Sequence, residues 1–220
     1  MPRHVSIRTF CVLSAITCIL GVLMIGNSFA INTGPPLNAT NAQYIWFAQQ
    51  HAHDVLKGAW LQAVGTFFIL LFAVALVHLS RSSHTFGGWM TFLGATTLLF
   101  VSLMEVVCYI MALFPTPETM GAIGNNIGHA VQHLYFIVAA PALFLPLGFV
   151  ILFSKVLPGV FGYLALLLAC AFFAVGIYSL YRLILTSLDT SLAAIQALWW
   201  FAAAVVLIFR SRKIQQMFPQ

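Results

Sequence analysis

Long apolar stretches, separated by short polar segments, run along the whole chain. A helix crosses the hydrocarbon layer of a bilayer, roughly 30 Å thick, with about 20 residues that each rise about 1.5 Å. The apolar stretches have that length, and they lack the alternation of polar and apolar residues that is typical of a membrane β-barrel. The sequence therefore predicts an all-α, polytopic bundle of transmembrane helices that forms a single domain over residues 1–220. The six predicted spans lie at about residues 9–30, 55–79, 89–114, 126–153, 160–181 and 192–209.

The first span has an alternative interpretation as a signal peptide. Its basic start is followed at the far end by Ser28-Phe29-Ala30, which fits a cleavage site flanked by small residues. Cleavage would leave five spans. We favour a retained span, because the apolar stretch from Phe10 to Gly26 is longer than the usual signal-peptide core of about 7 to 15 residues.

Two segments should depart from a simple span. The stretch from Gln43 to Asp54 mixes polar and aromatic residues, which indicates a short helix at the membrane interface that leads straight into the second span. The fourth span contains Pro141 and Pro146. Because each proline removes one helical hydrogen bond, we expect the fourth span to bend.

Composition and charge agree with a membrane location. The chain is 62% hydrophobic and only 6% charged, with a mean hydropathy of +1.01, whereas soluble domains contain about 25% charged residues. Most of the nine Lys and Arg residues lie at a terminus or in every second segment between spans, which is typical of cytoplasmic faces. These residues are Arg3, Arg8, Arg81, Lys155, Arg210, Arg212 and Lys213. We therefore predict an integral protein of a bacterial cytoplasmic (inner) membrane, with its N-terminus and C-terminus in the cytoplasm.

The same distribution of charge indicates which partners to expect. The basic residues follow the pattern of a membrane protein, so we expect the lipid bilayer as a partner of the chain. The positive charge gives no reason to expect a nucleic acid. Other membrane subunits, or further copies of the chain in a homo-oligomer, stay open as partners, because small residues such as those at 202–204 suit helix association in lipid. The sequence has no nucleotide-binding, nucleophile-elbow or zinc-protease motif, so whether it is an enzyme, and with which catalytic residues, stays open.

Ionisable residues in the third and fourth spans provide the candidate site. Glu105 lies about nine residues, and His133 about seven residues, inside the outer ends of their spans, which puts both roughly 10–14 Å below the outer surface. An unpaired carboxylate at such a depth costs on the order of 2.5–3.5 kcal/mol. We therefore expect Glu105 to face the interior of the bundle and to hold a partner there.

Two histidines in the fourth span suggest a metal site. His129 and His133 are four residues apart, so they lie on one face of a helix with Cβ atoms about 6 Å apart. Together with Glu105 they would form a set of two histidines and one carboxylate, which zinc and non-haem iron use. Copper is a further candidate, since imidazole suits it.

A haem site is the alternative cofactor hypothesis. Haem b would need one histidine from each of two helices at matching depth, and His53 with His129 would serve. Lys57 and Arg182 lie near the ends of helices, where long cationic side chains reach back to the membrane interface. That placement is the alternative to a role for them in the pocket. The remaining pocket candidates are His51, Asp54, Lys57, Tyr109, Gln132 and Arg182.

Three further interpretations stay open at this point. In a proton-coupled small-solute transporter, Glu105 and His133 would exchange protons, and the bends at the prolines would permit movement. A non-catalytic accessory subunit of a larger membrane complex would explain the lack of any sizeable soluble domain. In a purely structural network, Glu105 would accept hydrogen bonds from Tyr109, His133 or Gln132 and bind no ligand.

Overall fold

The computed structural model describes residues 6–32, 40–111, 113, 118–181 and 187–217. Over these residues the protein is helical and contains no strand. Six of the helices are long and apolar enough to cross a membrane, which confirms the predicted all-α, six-span fold class. The elements in chain order are α1 (Ile7–Ile31), α2 (Asn41–Gln50), α3 (Ala52–Leu79), α4 (Phe86–Met111), α5 (Glu118–Leu134), a π-helix (Tyr135–Ala139), α6 (Ala140–Phe153), α7 (Gly159–Tyr181) and α8 (Ser187–Gln216).

Several helices begin before the apolar stretches that predicted them. The first begins at Ile7 because the Ser6 side chain accepts a hydrogen bond from the Thr9 amide. Helix α4, the third span, begins at Phe86, where the Thr85 hydroxyl accepts a hydrogen bond from the Gly88 amide. Hydropathy marks only the part of a helix that lies in lipid, whereas polar caps determine where the helix itself begins.

The polar segment before the second span forms a separate helix, α2. A reciprocal pair of hydrogen bonds between Thr40 and Gln43 caps its start. At His51 the backbone leaves the helical conformation, with φ −108° and ψ 27°, and α3 begins at the next residue. A single-residue break therefore separates the short helix from the span.

The six spanning helices form a closed ring in which neighbours along the chain are neighbours in space. Helix α3 packs between α1 and α4, the π-helix and α6 pack between α4 and α7, and α8 closes the ring by packing against both α7 and α1. In such a ring, consecutive antiparallel helices need only short connections.

Glycines allow the closest approach, between α1 and α3. A Cβ atom added at Gly21 would lie 2.6 Å from the Gly65 carbonyl oxygen, and one added at Gly65 would lie 2.8 Å from the Gly21 oxygen. Further along, the Ser28 hydroxyl donates to the Gly58 carbonyl at 2.7 Å. Close backbone packing of this kind drives helix association in lipid, where burial of apolar surface cannot. The first helix is thus packed into the bundle through much of its length.

Buried aromatic rings fill the centre of the bundle and the half that leads towards the end carrying Arg81, Lys155 and Arg210, which we name the basic end. The rings in van der Waals contact there belong to Phe72, Phe144, Phe172, Trp199 and Trp200. At the basic end itself, Arg81 donates to the Met217 carbonyl and Arg210 donates to the Lys155 carbonyl. These bonds hold the end of α8 against the two turns of that face.

The glycine contact between α1 and α3 yields a stability prediction. Gly21→Ala should destabilise the solubilised protein by about 1–3 kcal/mol, because the new methyl group overlaps the α3 backbone. Gly26→Ala is the matched control on the same helix, since an added Cβ there meets nothing within 4 Å. Thermal unfolding in detergent should show a lower midpoint for Gly21→Ala alone; equal midpoints for the two variants would contradict the contact.

Candidate functional site

Glu105, on α4, accepts three hydrogen bonds inside the bundle. The Gln62 amide nitrogen, from α3, lies 2.6 Å from Oε2. The Tyr109 hydroxyl, one turn further along α4, donates to Oε1 at 3.0 Å, and the Gln132 amide nitrogen, from α5, donates to Oε1 at 3.2 Å. The carboxylate therefore joins three helices through three uncharged donors.

Local sequence explains how these donors reach one point. Tyr109 follows Glu105 by four residues, which places both side chains on one face of α4. Gln62 is only 6% exposed although it lies within an apolar span, so its amide must find a partner inside the protein. Within the described part of the chain, no Lys, Arg or His comes within salt-bridge distance of Glu105; the ion pairs found there involve Asp54.

A second polar pair lies one turn deeper on the same two helices. The hydroxyls of Thr66 and Ser102 are 3.0 Å apart, and both side chains are buried. Beyond them, the buried side chains of Ile69 and Leu98 continue into the apolar core. We refer to the polar group as the Glu105 cluster, and it consists of Gln62, Thr66, Ser102, Glu105, Tyr109 and Gln132.

His133 belongs to a different contact, between α5 and α7. Its Nδ1 lies 3.0 Å from the Ser179 hydroxyl oxygen, and that hydroxyl donates to the Gly176 carbonyl at 2.7 Å. Because a serine hydroxyl has one hydrogen, His133 Nδ1 must be the donor to Ser179. A neutral His133 ring consequently carries its proton on Nδ1, and its Nε2 is an acceptor.

The π-helix begins two residues after His133 and changes the register of the fourth span. The Ala140 amide bonds to the Tyr135 carbonyl five residues earlier, immediately before Pro141, which has no amide hydrogen to donate. Pro146 lies within α6. The Tyr135 hydroxyl donates to Gln196 of α8 at 2.6 Å, which ties the irregular turn to α8.

The predicted metal ligands are not drawn together in the part of the chain that the structure describes. No group of three His, Cys, Asp or Glu side chains there is positioned to hold a metal ion. The reason is helical geometry: successive residues are rotated by about 100°, so when Gln132 faces Glu105, His133 faces α7. The side chain of His129 is exposed. The set of Glu105, His129 and His133 stays a prediction.

The outer candidates lie at the start of α3, away from the Glu105 cluster. Asp54 is 4.0 Å from His51 Nδ1 and 3.8 Å from His53 Nδ1. The His53 side chain is 92% exposed, so in this conformation it is outside the bundle, and the Lys57 side chain is also exposed. A haem held by His53 and His129 stays a prediction. Arg182 lies outside the described residues.

Sequence reasoning based on charge missed four uncharged members of these contacts, which are Gln62, Thr66, Ser102 and Ser179. A signal was present in the sequence. Polar residues at positions 62 and 66 are one turn apart within an apolar span, and those at 102 and 105 repeat the pattern on the next helix. Two such faces on neighbouring spans favour contact with each other.

Comparison of the chain with protein-family models, with curated proteins and with solved structures finds no match. The functional argument therefore depends on the geometry of the site.

Proposed function

We propose that this integral membrane protein is a proton-coupled small-solute transporter in which Glu105 takes up and releases the coupling proton. The observation that carries the proposal is the carboxyl group of Glu105 inside a transmembrane bundle, held by three uncharged donors from three helices. Ionisable groups inside membrane bundles commonly mark proton and solute pathways, because they destabilise the protein there and are retained mainly where function requires them.

A difference in exposure between the Glu105 cluster and the aromatic core supports this function. Glu105 and Gln132 keep part of their surface exposed, whereas the aromatic core closes the bundle towards the basic end. Alternating access requires a central site that is open to one side of the membrane while the other side is closed. The observed arrangement suits the outward-open member of such a pair of states.

The irregular fourth span supports the same proposal by providing an element that could change shape. The π-helix begins three residues after Gln132, and Pro141 follows it. Discontinuous helices near the membrane centre are typical of transporters, and π-helices are frequent at functional sites. A rearrangement of this turn would move Gln132 relative to Glu105. His133 would then act through its contact with Ser179 rather than as a direct partner of the carboxylate.

The proposal predicts the effect of removing the carboxyl group. In proteoliposomes that contain a pH-sensitive dye, a panel of small solutes should include at least one that drives proton flux through the wild-type protein. Glu105→Gln should lower that flux more than about tenfold, since an amide does not bind and release a proton at neutral pH as a carboxylate does. Thr96→Val is the control on the same helix, because the Thr96 hydroxyl bonds only to its own helix. Unchanged flux in Glu105→Gln would disprove the proposal.

Binding of a metal ion or haem is the second candidate, and the contact between His133 and Ser179 favours it. A histidine ligand usually donates its other ring nitrogen to a neighbouring acceptor, which fixes the nitrogen that faces the metal. With Nδ1 bound to Ser179, the Nε2 of His133 is fixed in this way.

Elemental analysis and an absorption spectrum of gently solubilised protein test this candidate. If it is correct, purified protein contains iron, copper or zinc, or shows a haem band, and Ser179→Ala weakens binding by about 10- to 100-fold. Ser14→Ala is the matched control, because its hydroxyl bonds to a carbonyl of α1, far from His133. Colourless, metal-free protein after expression in metal- and haem-supplemented cells would eliminate this candidate.

Contact with the lipid bilayer follows from the fold, whereas the kind of membrane and the orientation of the chain are proposals. Six apolar helices with exposed side chains such as Leu13, Phe100 and Leu167 contact the lipid bilayer. We propose a bacterial inner membrane with both termini in the cytoplasm, because the cations of the basic end favour that face. Association with other membrane subunits or in a homo-oligomer stays a prediction.

Reporter fusions test the proposed orientation. A fluorescent protein joined to Gln220 should fluoresce, and alkaline phosphatase joined at the same residue should be inactive, since each reporter matures on one side of the membrane only. An active phosphatase fusion would reverse the orientation and would place the Glu105 cluster on the cytoplasmic side.

A further inference from the structure

The hydrogen bonds around Glu105 leave a defined set of acceptors open. A carboxylate offers about four lone-pair positions. Tyr109 and Gln132 occupy two of them at Oε1, and Gln62 occupies one at Oε2. One position at Oε2 therefore remains for a further donor.

The two glutamines contribute further acceptors. An ionised carboxylate only accepts hydrogen bonds, so Gln62 and Gln132 must turn their amide nitrogens towards Glu105 and keep their amide oxygens free to accept. An amide oxygen lies about 2.3 Å from its own nitrogen, which puts the Gln62 oxygen within about 5 Å of Oε2. Among the described residues, nothing donates to either amide oxygen.

Charge and the number of acceptors restrict the ligand that would complete this arrangement. An ionised Glu105 gives the cluster a net negative charge that no described Lys, Arg or His neutralises, so a cation is favoured and an anion is disfavoured. A primary ammonium group carries a positive charge and three N–H donors, as a lysine side chain does. Three open acceptors, on Glu105, Gln62 and Gln132, match those three donors.

We infer that the Glu105 cluster binds small molecules through a primary ammonium group, which donates to Glu105 Oε2 and to the amide oxygens of Gln62 and Gln132. This inference rests on the proposed function in that it names the class of solute that the transporter would carry. A quaternary ammonium ion lacks N–H donors and would leave the three acceptors unpaired. A transition metal would want three His, Cys, Asp or Glu ligands, a grouping not found among the described residues.

Binding of radiolabelled methylammonium to the purified full-length protein tests the inference. Unlabelled ethylammonium should displace the label, and tetramethylammonium should compete more than about tenfold less well, since it cannot donate hydrogen bonds. Glu105→Gln should weaken binding more than about tenfold, and Gln62→Met should weaken it by about tenfold through the loss of one acceptor and of the donor that holds Oε2. Thr96→Val should bind like the wild type.

The outcomes separate this inference from the proposed function. Equal competition by tetramethylammonium, or binding that Glu105→Gln leaves intact, would overturn the ammonium site. Methylammonium binding that depends on Glu105, in a protein that shows no solute-driven proton flux, would keep the binding site and disprove transport. Glu105-dependent proton flux with other solutes, without methylammonium binding, would keep transport and overturn the ammonium site. Thermal unfolding is the control for folding. A midpoint of Glu105→Gln equal to that of the wild type would show that weaker binding does not reflect unfolding.

Discussion

The arrangement of α3, α4 and α5 depends on the need to satisfy one carboxyl group inside a membrane. Lipid offers no hydrogen bonds, so Glu105 obtains those described from α3, from α5 and from its own helix α4. The three donors are uncharged and come from Gln62, Tyr109 and Gln132. These hydrogen bonds fix how each helix is rotated about its own axis. The rotation in turn determines which face of the helix points to the interior of the bundle. The orientation of His133 towards Ser179 is one such consequence.

Elsewhere in the bundle, several helix pairs meet through close backbone packing at glycines. Gly21 and Gly65 bring α1 against α3, Gly148 and Gly162 bring α6 against α7, and Gly94 lies against the Ala142 backbone of α6. In a bilayer the lipid chains are as apolar as the side chains, so such contacts contribute through dispersion at short range. The two kinds of interface therefore have different roles. Glycine contacts pack neighbouring helices against each other, and hydrogen bonds orient the helices around the Glu105 cluster.

The two halves of the bundle differ in what fills them. Towards the end opposite the basic end, polar side chains extend from Tyr109 to the pair of Thr66 and Ser102. Towards the basic end, buried aromatic rings such as Phe72 and Trp200 fill most of the interior. The π-helix lies between α5 and α6, next to both regions, and Tyr135 and Gln196 anchor it. A change in that turn would affect both halves at once, which is why the fourth span is central to the functional proposal.

The amino-acid sequence by itself determined the all-α integral-membrane class, the number of spans and the position of Glu105 along its span, because each of these depends on local hydropathy and on a constant rise per residue. It also identified Tyr109 and Gln132 among the groups that could donate to Glu105. It could not decide between Gln132 and His133, which are adjacent in the chain, since the choice depends on the rotation of α5 about its axis. Gln62 and Ser179 came into the site only through the packing of α3 and α7. Tertiary structure decided these contacts because helix rotation is determined by all neighbouring helices together, and no single segment contains that information.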